Sequence, residues 1–562
     1  MATAAGSAFR PPATPLIACD PYFSVWSMAD RLTDEETRHW TGSPHPIGGL
    51  VRIDGNAYRL IGAEPRPIEP LPQTGLVVRP TRTVYTFAGA GVELTLTFTT
   101  AALPEDLERL ARPVTYLTWS VRSTDGRPHQ AALYLDVSAL LTVNTAEQLV
   151  NWGRLQLGRQ TALQIGSQSQ EMLVRSGDNL RIDWGRLYLS SVEPAAFAIG
   201  QDRALREAFI AGGALPDHDD FDQPRPAQAR RTSPALALSF DLGEIGADAV
   251  SRTAIVAYDD RYSIEYLGRK LRPYWRRNGD GAAELLRSAG NDAPGLLARC
   301  AAYDEALFAD LTAAGGTAYA ELCALAFRQC AAAHKLTADI DGTPLFFSKE
   351  NFSNGCIATV DVTYPSAPFM LLFNPELLKG CLRPILQYAA LPRWRFDFAP
   401  HDVGTYPLAN GQVYGGGERT TERQMPVEEC GNMLILVAAL AQAAGDAEFA
   451  RPHLTLLTRW ADYLVERGFD PENQLCTDDF AGHLAHNANL SLKAIVALGA
   501  FAQVCARMGE AKPAAHYQDA ARKFAAQWLE AADDGDHYRL TFDGAGTWSQ
   551  KYNLVWDRLL GL

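Results

Sequence analysis

Apolar and polar residues alternate along the first half of the chain. Val92 to Thr99 reads VELTLTFT, with an apolar side chain at every second place, the period of a half-buried strand. Thr115 to Val121 (TYLTWSV) repeats the pattern, and Asp125-Gly126 supplies the turn into Ala131 to Val137. Val51 to Leu60 contains Asp54-Gly55, a two-residue hairpin signal. Two more strands are predicted at Leu236 to Leu242 and Ala254 to Tyr258. Many short strands closed by Gly/Asp turns predict a sandwich. Ala204 to Pro234, polar and proline-bearing, is expected to be a long surface loop.

After about Tyr262 the apolar positions recur at three- and four-residue spacing, which predicts helices. They fall over Leu296 to Leu311, Tyr319 to His334, Pro375 to Tyr388, Met433 to Ala444, His453 to Glu466, Leu490 to Met508 and Ala514 to Ala531. Gly445-Asp446, Gly509 and Asp533-Asp534-Gly535 interrupt them at about 20-residue intervals. Helices joined by short turns on one side and Gly-rich loops on the other predict stacked αα-hairpins, the plan of an α/α toroid. The expected division is residues 1–265 as an N-terminal antiparallel β-sandwich and 266–562 as the toroid.

The length alone predicts at least two domains. A net charge of −14 disfavours nucleic acid and anionic membranes as partners, since both need a basic face. The sequence shows no apolar run read as a bilayer span. Nine cysteines stand singly with no CxxC pair, which predicts buried free thiols and no zinc knuckle. The opening MATAAGSAFRPP lacks a basic start and apolar core, so a cytoplasmic location is expected of the chain as written. A mature chain cloned without its leader would read the same, and would belong outside the cytoplasm.

The candidate chemistry lies where carboxylates sit among glycines, prolines and aromatics. Asp361 (ATVDVTYPS) stands at a predicted helix start, where it is either a cap or a pocket acid. His401-Asp402 (PHDVGTYP) lies in a loop fixed by Gly404 and Pro407, with Asp402 placed to bind substrate. Glu428-Glu429 follows Pro426 at the head of an apolar helix. Neighbours on a helix diverge by ~100°, so one is expected to face inward and the other solvent. Glu429, half-buried beside Cys430 and Met433, is expected to have its pKa raised, as a general acid requires, and to be catalytic, with the acid and base roles among the carboxylates left open. Asp478-Asp479 (CTDDFAG) forms a second acidic pair, with His483 and His486 after it at three-residue spacing. Without HExxH these histidines are read as partners of the acids or substrate, so no metal or cofactor is expected, although the sequence leaves bound calcium open. Trp394 and Tyr414 are candidate stacking walls, together with Tyr364, Trp548 and Tyr552; Lys551 and Asn553 are candidate contacts for a carboxylate or hydroxyl.

No GxSxG elbow, SxxK pair, GxGxxG or P-loop is present, so paired carboxylates activating water are the available machinery. Several long blocks resemble the glutaminase A family: FRPPATPLIACDPYFSVW, GCIATVDVTYPSAPFMLLFNPELLKGCLRPIL, PHDVGTYPLANG, MPVEECGNM, CTDDFAGHLAHNANLSLKAI and TWSQKYNLVWDRLLGL. The resemblance spans nearly the whole chain. It implies a β-sandwich region, a six-hairpin toroid like that of six-hairpin glycosidases, and a hydrolase that deamidates L-glutamine. Members of that family continue past the last block, whereas this sequence stops there, so an incomplete ring is expected. Expected catalytic residues are Glu429, Asp479, Asp402 and Asp361; expected substrate contacts are His401, Glu428, Asp478, His483, Trp394, Tyr414, Lys551 and Asn553. The ligand is a small molecule, glutamine or a saccharide. A glycoside hydrolase using paired acids is the alternative reading. A non-catalytic carbohydrate-binding scaffold is the third.

Overall fold

The computed structural model describes residues 9–477 and 481–562. The chain divides into two units. One comprises the chain up to Arg175 with Asn179–Ser263 and Arg272–Lys335; the other comprises Ser176–Asp178, Ile264–Leu271 and Leu336–Leu562.

The first unit is built on two antiparallel sheets, one of nine strands and one of five. The larger runs Arg225–Pro226, Leu149–Leu157, Gln160–Ser167, Arg186–Ser191, Val250–Asp259, Val114–Ser123, Val92–Thr100, Arg82–Gly89, Gln73–Val78. The smaller runs Ala196–Gln201, Pro234–Ile245, His129–Ser138, Ile47–Ile53, Asn56–Ile61. Alternation predicts this well: in Val92–Thr100 the residues Val92, Leu94, Leu96 and Phe98 are buried while Glu93, Thr95 and Thr97 are only half-buried. Trp119 of the large sheet meets Phe240 of the small one edge-on, with ring centroids 6.2 Å apart, inside the sandwich. Asp54 and Gly55 both take positive φ (47° and 87°), as a primed two-residue hairpin requires.

Three helices belong to this unit: α1 (Leu107–Leu110), α2 (Asp202–Gly212) and α3 (Ala282–Ala332). Helix α2 corrects the expected loop over Ala204 to Pro234. Leu205 and Phe209, four residues apart, bury against the sheet, and Phe209 stands 5.2 Å from the Tyr134 ring. Helix α3 joins the two helices predicted at Leu296 and Tyr319 into one run, broken only at Gly316, where φ is +83°. It contributes buried Asp304, which accepts from Thr81 N (2.8 Å) and pairs with Arg82 Nε (2.7 Å). These contacts tie the 272–335 segment to the β unit, whereas the sequence places the division at 265.

His334 follows α3 and is buried; its Nδ1 contacts the Cys330 carbonyl at 2.7 Å. Burial disfavours the imidazolium and pulls its pKa from 6.5 to about 4. Because the folded value is depressed, stability is complete above pH 6.5 and is lost as pH falls towards 4, where the unfolded chain takes up the proton first. This site is expected to cost about 3 kcal/mol by pH 4. Urea midpoints between pH 7 and 4 should fall less steeply in His334→Gln; equal slopes would dismiss the effect.

The second unit holds α4 (Val360–Phe373), α5 (Pro375–Ala389), α6 (Pro426–Ala444), α7 (Leu454–Arg467), α8 (Ala488–Arg507), α9 (Ala511–Ala531) and α10 (Leu554–Leu560). Consecutive pairs form hairpins, α4 with α5, α6 with α7 and α8 with α9, and α4, α6 and α8 pack side by side as the inner row. The burial patterns explain the assignment. Helices α6 and α8 are apolar on nearly every face, whereas α7 and α9 bury a single stripe, such as Leu457, Trp460, Ala461 and Leu464. Two of these inner helices, Pro426–Ala444 and Ala488–Arg507, have the length and hydropathy of a bilayer span, which corrects the sequence reading; both are largely buried within the unit. Gly431 allows α6 to approach α8, since a Cβ there would lie 2.6 Å from Lys493 Cγ.

Candidate active site

The loops at the heads of α4 and α6 converge with the 401–414 loop. Leu408–Ala409 adds in parallel to Ile264–Tyr266 and anchors that loop, while Val360 N donates to the His401 carbonyl at 2.9 Å. Gly404 is required here: at φ 147° a Cβ would fall 2.0 Å from the Leu408 carbonyl oxygen.

Asp402 is wholly buried, and its oxygens are engaged. Oδ1 accepts from Gly404 N (2.8 Å) and Val413 N (3.1 Å); Oδ2 accepts from Tyr414 N (3.2 Å) and faces His401 Nδ1 at 3.0 Å. Such a carboxylate shapes a loop and orients a histidine; it has no free lone pair facing a substrate. The Tyr414 ring stacks on His401 with centroids 4.0 Å apart and planes 15° off parallel. The other imidazole nitrogen, Nε2, lies 3.7 Å from Asp361 Oδ1. Burial alone would pull His401 down, but Asp361, Asp402, Cys356 and Glu429 together hold it well above its ordinary value.

Asp361 sits in the first turn of α4. Among the described residues its Oδ1 is buried without a hydrogen-bond partner, as is Oε2 of Glu350. Burial raises the Asp361 carboxyl to about 6; His401 opposes the shift, while Glu350 and Glu428 reinforce it. Glu428 and Glu429 occupy the first turn of α6, and both are buried, which corrects the expectation that one is solvated. The reason is a buried lysine opposite. Lys493 of α8 pairs with Glu428 Oε1, donates to Asn432 Oδ1 (2.7 Å), and sits 4.1 Å above the Tyr364 ring. Glu428 Oε1 also accepts from Thr477 N (3.0 Å) and Asn432 Nδ2 (3.1 Å). Glu429 has no such cation. Its Oε2 accepts from Asn432 Nδ2 (3.1 Å) and its Oε1 has no hydrogen-bond partner among the described residues. Burial, with Asp361 next, pushes its carboxyl well above the ordinary range, against the pull of His401.

The expected residues therefore fall into groups. The structure brings Asp361, His401, Tyr414, Glu428 and Glu429 together, with Asp402 behind His401. Trp394 is a core aromatic: it is buried among Tyr388, Phe396 and Phe398, and its Nε1 donates to the Phe398 carbonyl (2.8 Å). Lys551 spends its donors on the carbonyls of Arg539 (2.9 Å), Ser549 (2.9 Å) and Tyr538 (3.3 Å), so it carries no free substrate contact. Asn553 is buried; it accepts from Tyr364 Oη (2.8 Å) and donates to the Asn489 carbonyl (2.9 Å), and so braces the α4 wall. His483 is exposed, and His486 pairs with Asp470 at 2.7 Å. Asp478 and Asp479 lie outside the described residues. Glu350, Asn432, Thr477 and Lys493 were missed by the sequence reading. Lys493 carried a usable signal, a single cation inside an apolar helix, which must find an anion.

An antiparallel sandwich followed by helical hairpins whose loop ends gather buried carboxylates places the chain in the class of six-helical-hairpin hydrolases. The chain belongs to the glutaminase A family. The glutaminase A six helical-hairpin domain matches residues 316–562, and two domains of unknown function match 81–310 and 1–72. Glutaminase A of Aspergillus oryzae is 32% identical over 98% of this chain and 81% of its own length. A chain of Arthroderma benhamiae named as a probable glutaminase is 25% identical over 100% of this chain and 74% of its own. Among solved structures, a bacterial glucoamylase bound to acarbose superposes with a TM-score of 0.43 at 11% identity, over 96% of this chain and 72% of that one.

Proposed function

We propose that this protein hydrolyses the side-chain amide of L-glutamine to glutamate and ammonia, a reading supported by relatives named glutaminase A and probable glutaminase. The observation that carries the chemistry is Glu429, a carboxyl 1% exposed with Oε1 unpartnered and with Asp361 and His401 as its strongest charged neighbours. A carboxyl in that setting moves protons at neutral pH. Burial favours the protonated form of Glu429. It gives that proton to the amide nitrogen and takes one from the attacking water as the water oxygen bonds to the amide carbon, the C–N bond breaks and ammonia leaves. Glu428 is spoken for by Lys493, and Asp402 by its loop, so neither competes for this role.

The test is a pair of screens on the full chain, ammonia from L-glutamine and reducing sugar from a glycoside panel. Ammonia release is the expected result. Sugar release without ammonia would replace this reading with glycoside hydrolysis.

A further inference from the structure

We infer that Glu350, Asp361 and His401 form a binding site for a divalent cation, an oxygen–oxygen–nitrogen set suited to Mn2+ or Zn2+. One donor atom from each residue lies within 4.8 Å of the others. Asp361 Oδ1 and His401 Nε2 stand 3.7 Å apart, too far for a hydrogen bond. Two ligands on one ion, with bonds of roughly 2.1 Å at a tetrahedral angle, stand roughly 3.4 Å apart, so this pair needs only a small closure to share one.

Three features support an ion over a simple cluster of acids. The first is His401, whose Nδ1 is held by Asp402 Oδ2 at 3.0 Å. A carboxylate on the far ring nitrogen orients the imidazole with Nε2 towards Asp361, the usual support of a metal-bound histidine. Asp402 itself is engaged by three backbone N–H groups, so the alternative trio of Cys356, His401 and Asp402 lacks a free carboxylate ligand. The second is that, among the described residues, Glu350 Oε2 and Asp361 Oδ1 are buried without hydrogen bonds. The third is independent of that trio. Glu429, 1% exposed, leaves Oε1 unpartnered, and its strongest charged neighbours are Asp361 and His401. Three donor atoms within 4.8 Å of one another, two of them oxygens without hydrogen bonds among the described residues, with a further unpartnered buried carboxyl whose strongest charged neighbours are in that set, call for a cation.

The proposal does not depend on the glutaminase reading, and its test reads binding without turnover. The full chain is stripped with EDTA, dialysed, and titrated with Mn2+ or Zn2+ alone, with stoichiometry read by elemental analysis and binding by calorimetry. One equivalent is expected, with Glu350→Gln and Asp361→Asn each weakening it at least tenfold and Asp402→Asn by 10–100-fold. Added metal should also raise the melting temperature of the parent chain and leave that of Glu350→Gln unmoved, which separates lost binding from misfolding. Less than a tenth of an equivalent, or one equivalent unaffected by all three substitutions, overturns the site. Metal binding without ammonia release would leave it standing and sink only the glutaminase reading.

Discussion

Glu429→Gln is expected to lower kcat for ammonia release from L-glutamine by about 10²–10⁴-fold, the usual contribution of a positioned proton-transfer group. The substitution keeps the shape of the side chain, and its amide oxygen can still accept from Asn432 Nδ2, as Glu429 Oε2 does. What it removes is the proton carrier. Stability should hold or rise, because burial penalises the ionised carboxyl and no cation pairs with it. Steady-state kinetics beside a melting curve checks both halves. Activity within twofold of the parent, with an unchanged melting temperature, would show that the reacting group lies elsewhere.

Lys493→Met is expected to destabilise the second unit by about 3–5 kcal/mol, since it strands a carboxylate with 0% side-chain exposure. Glu428 would keep Thr477 N and Asn432 Nδ2 as donors but lose its counter-charge. Asn432 Oδ1 would lose the ammonium that donates to it, and the Tyr364 ring its cation. The double variant Lys493→Met/Glu428→Gln should recover much of that loss, because a neutral amide no longer needs the charge. Urea unfolding of the four proteins gives the coupling directly. A loss below about 1 kcal/mol for Lys493→Met would mean that water reaches the pair, as at surface salt bridges.

Much of the architecture was legible because it rests on local periodicity. Period-two alternation marks Val92–Thr100 and its neighbours because a strand presents successive side chains to opposite faces. Asp54-Gly55 fixes a hairpin because few residues tolerate positive φ at two successive positions. Gly445 and Gly509 mark helix ends for the same reason, at φ 76° and 83°. The polar 204–234 segment misled because charged residues on the exposed face of α2 hide the Leu205/Phe209 stripe.

The sequence by itself determined the two kinds of element, their order, the family blocks, and the acids at the heads of α4 and α6. Only the tertiary structure decided what each acid does. Glu428 and Glu429 are adjacent and chemically alike, yet one meets Lys493, 65 residues away, and the other meets none. By sequence Asp402 is a loop acid and Asp361 a helix-start acid; in the fold backbone N–H groups consume the oxygens of the first, whereas Oδ1 of the second has no hydrogen bond among the described residues and faces His401 Nε2 at 3.7 Å. Glu350 joins them from the end of a strand that no motif marks. Trp394 and Lys551 looked like ligand contacts until the Phe398 carbonyl and three loop carbonyls claimed their donors. The physical reason is one of range. Backbone conformation follows from neighbours a few residues apart, whereas the charge state and free lone pairs of a buried group are set by whatever distant side chains the packing brings within hydrogen-bond reach.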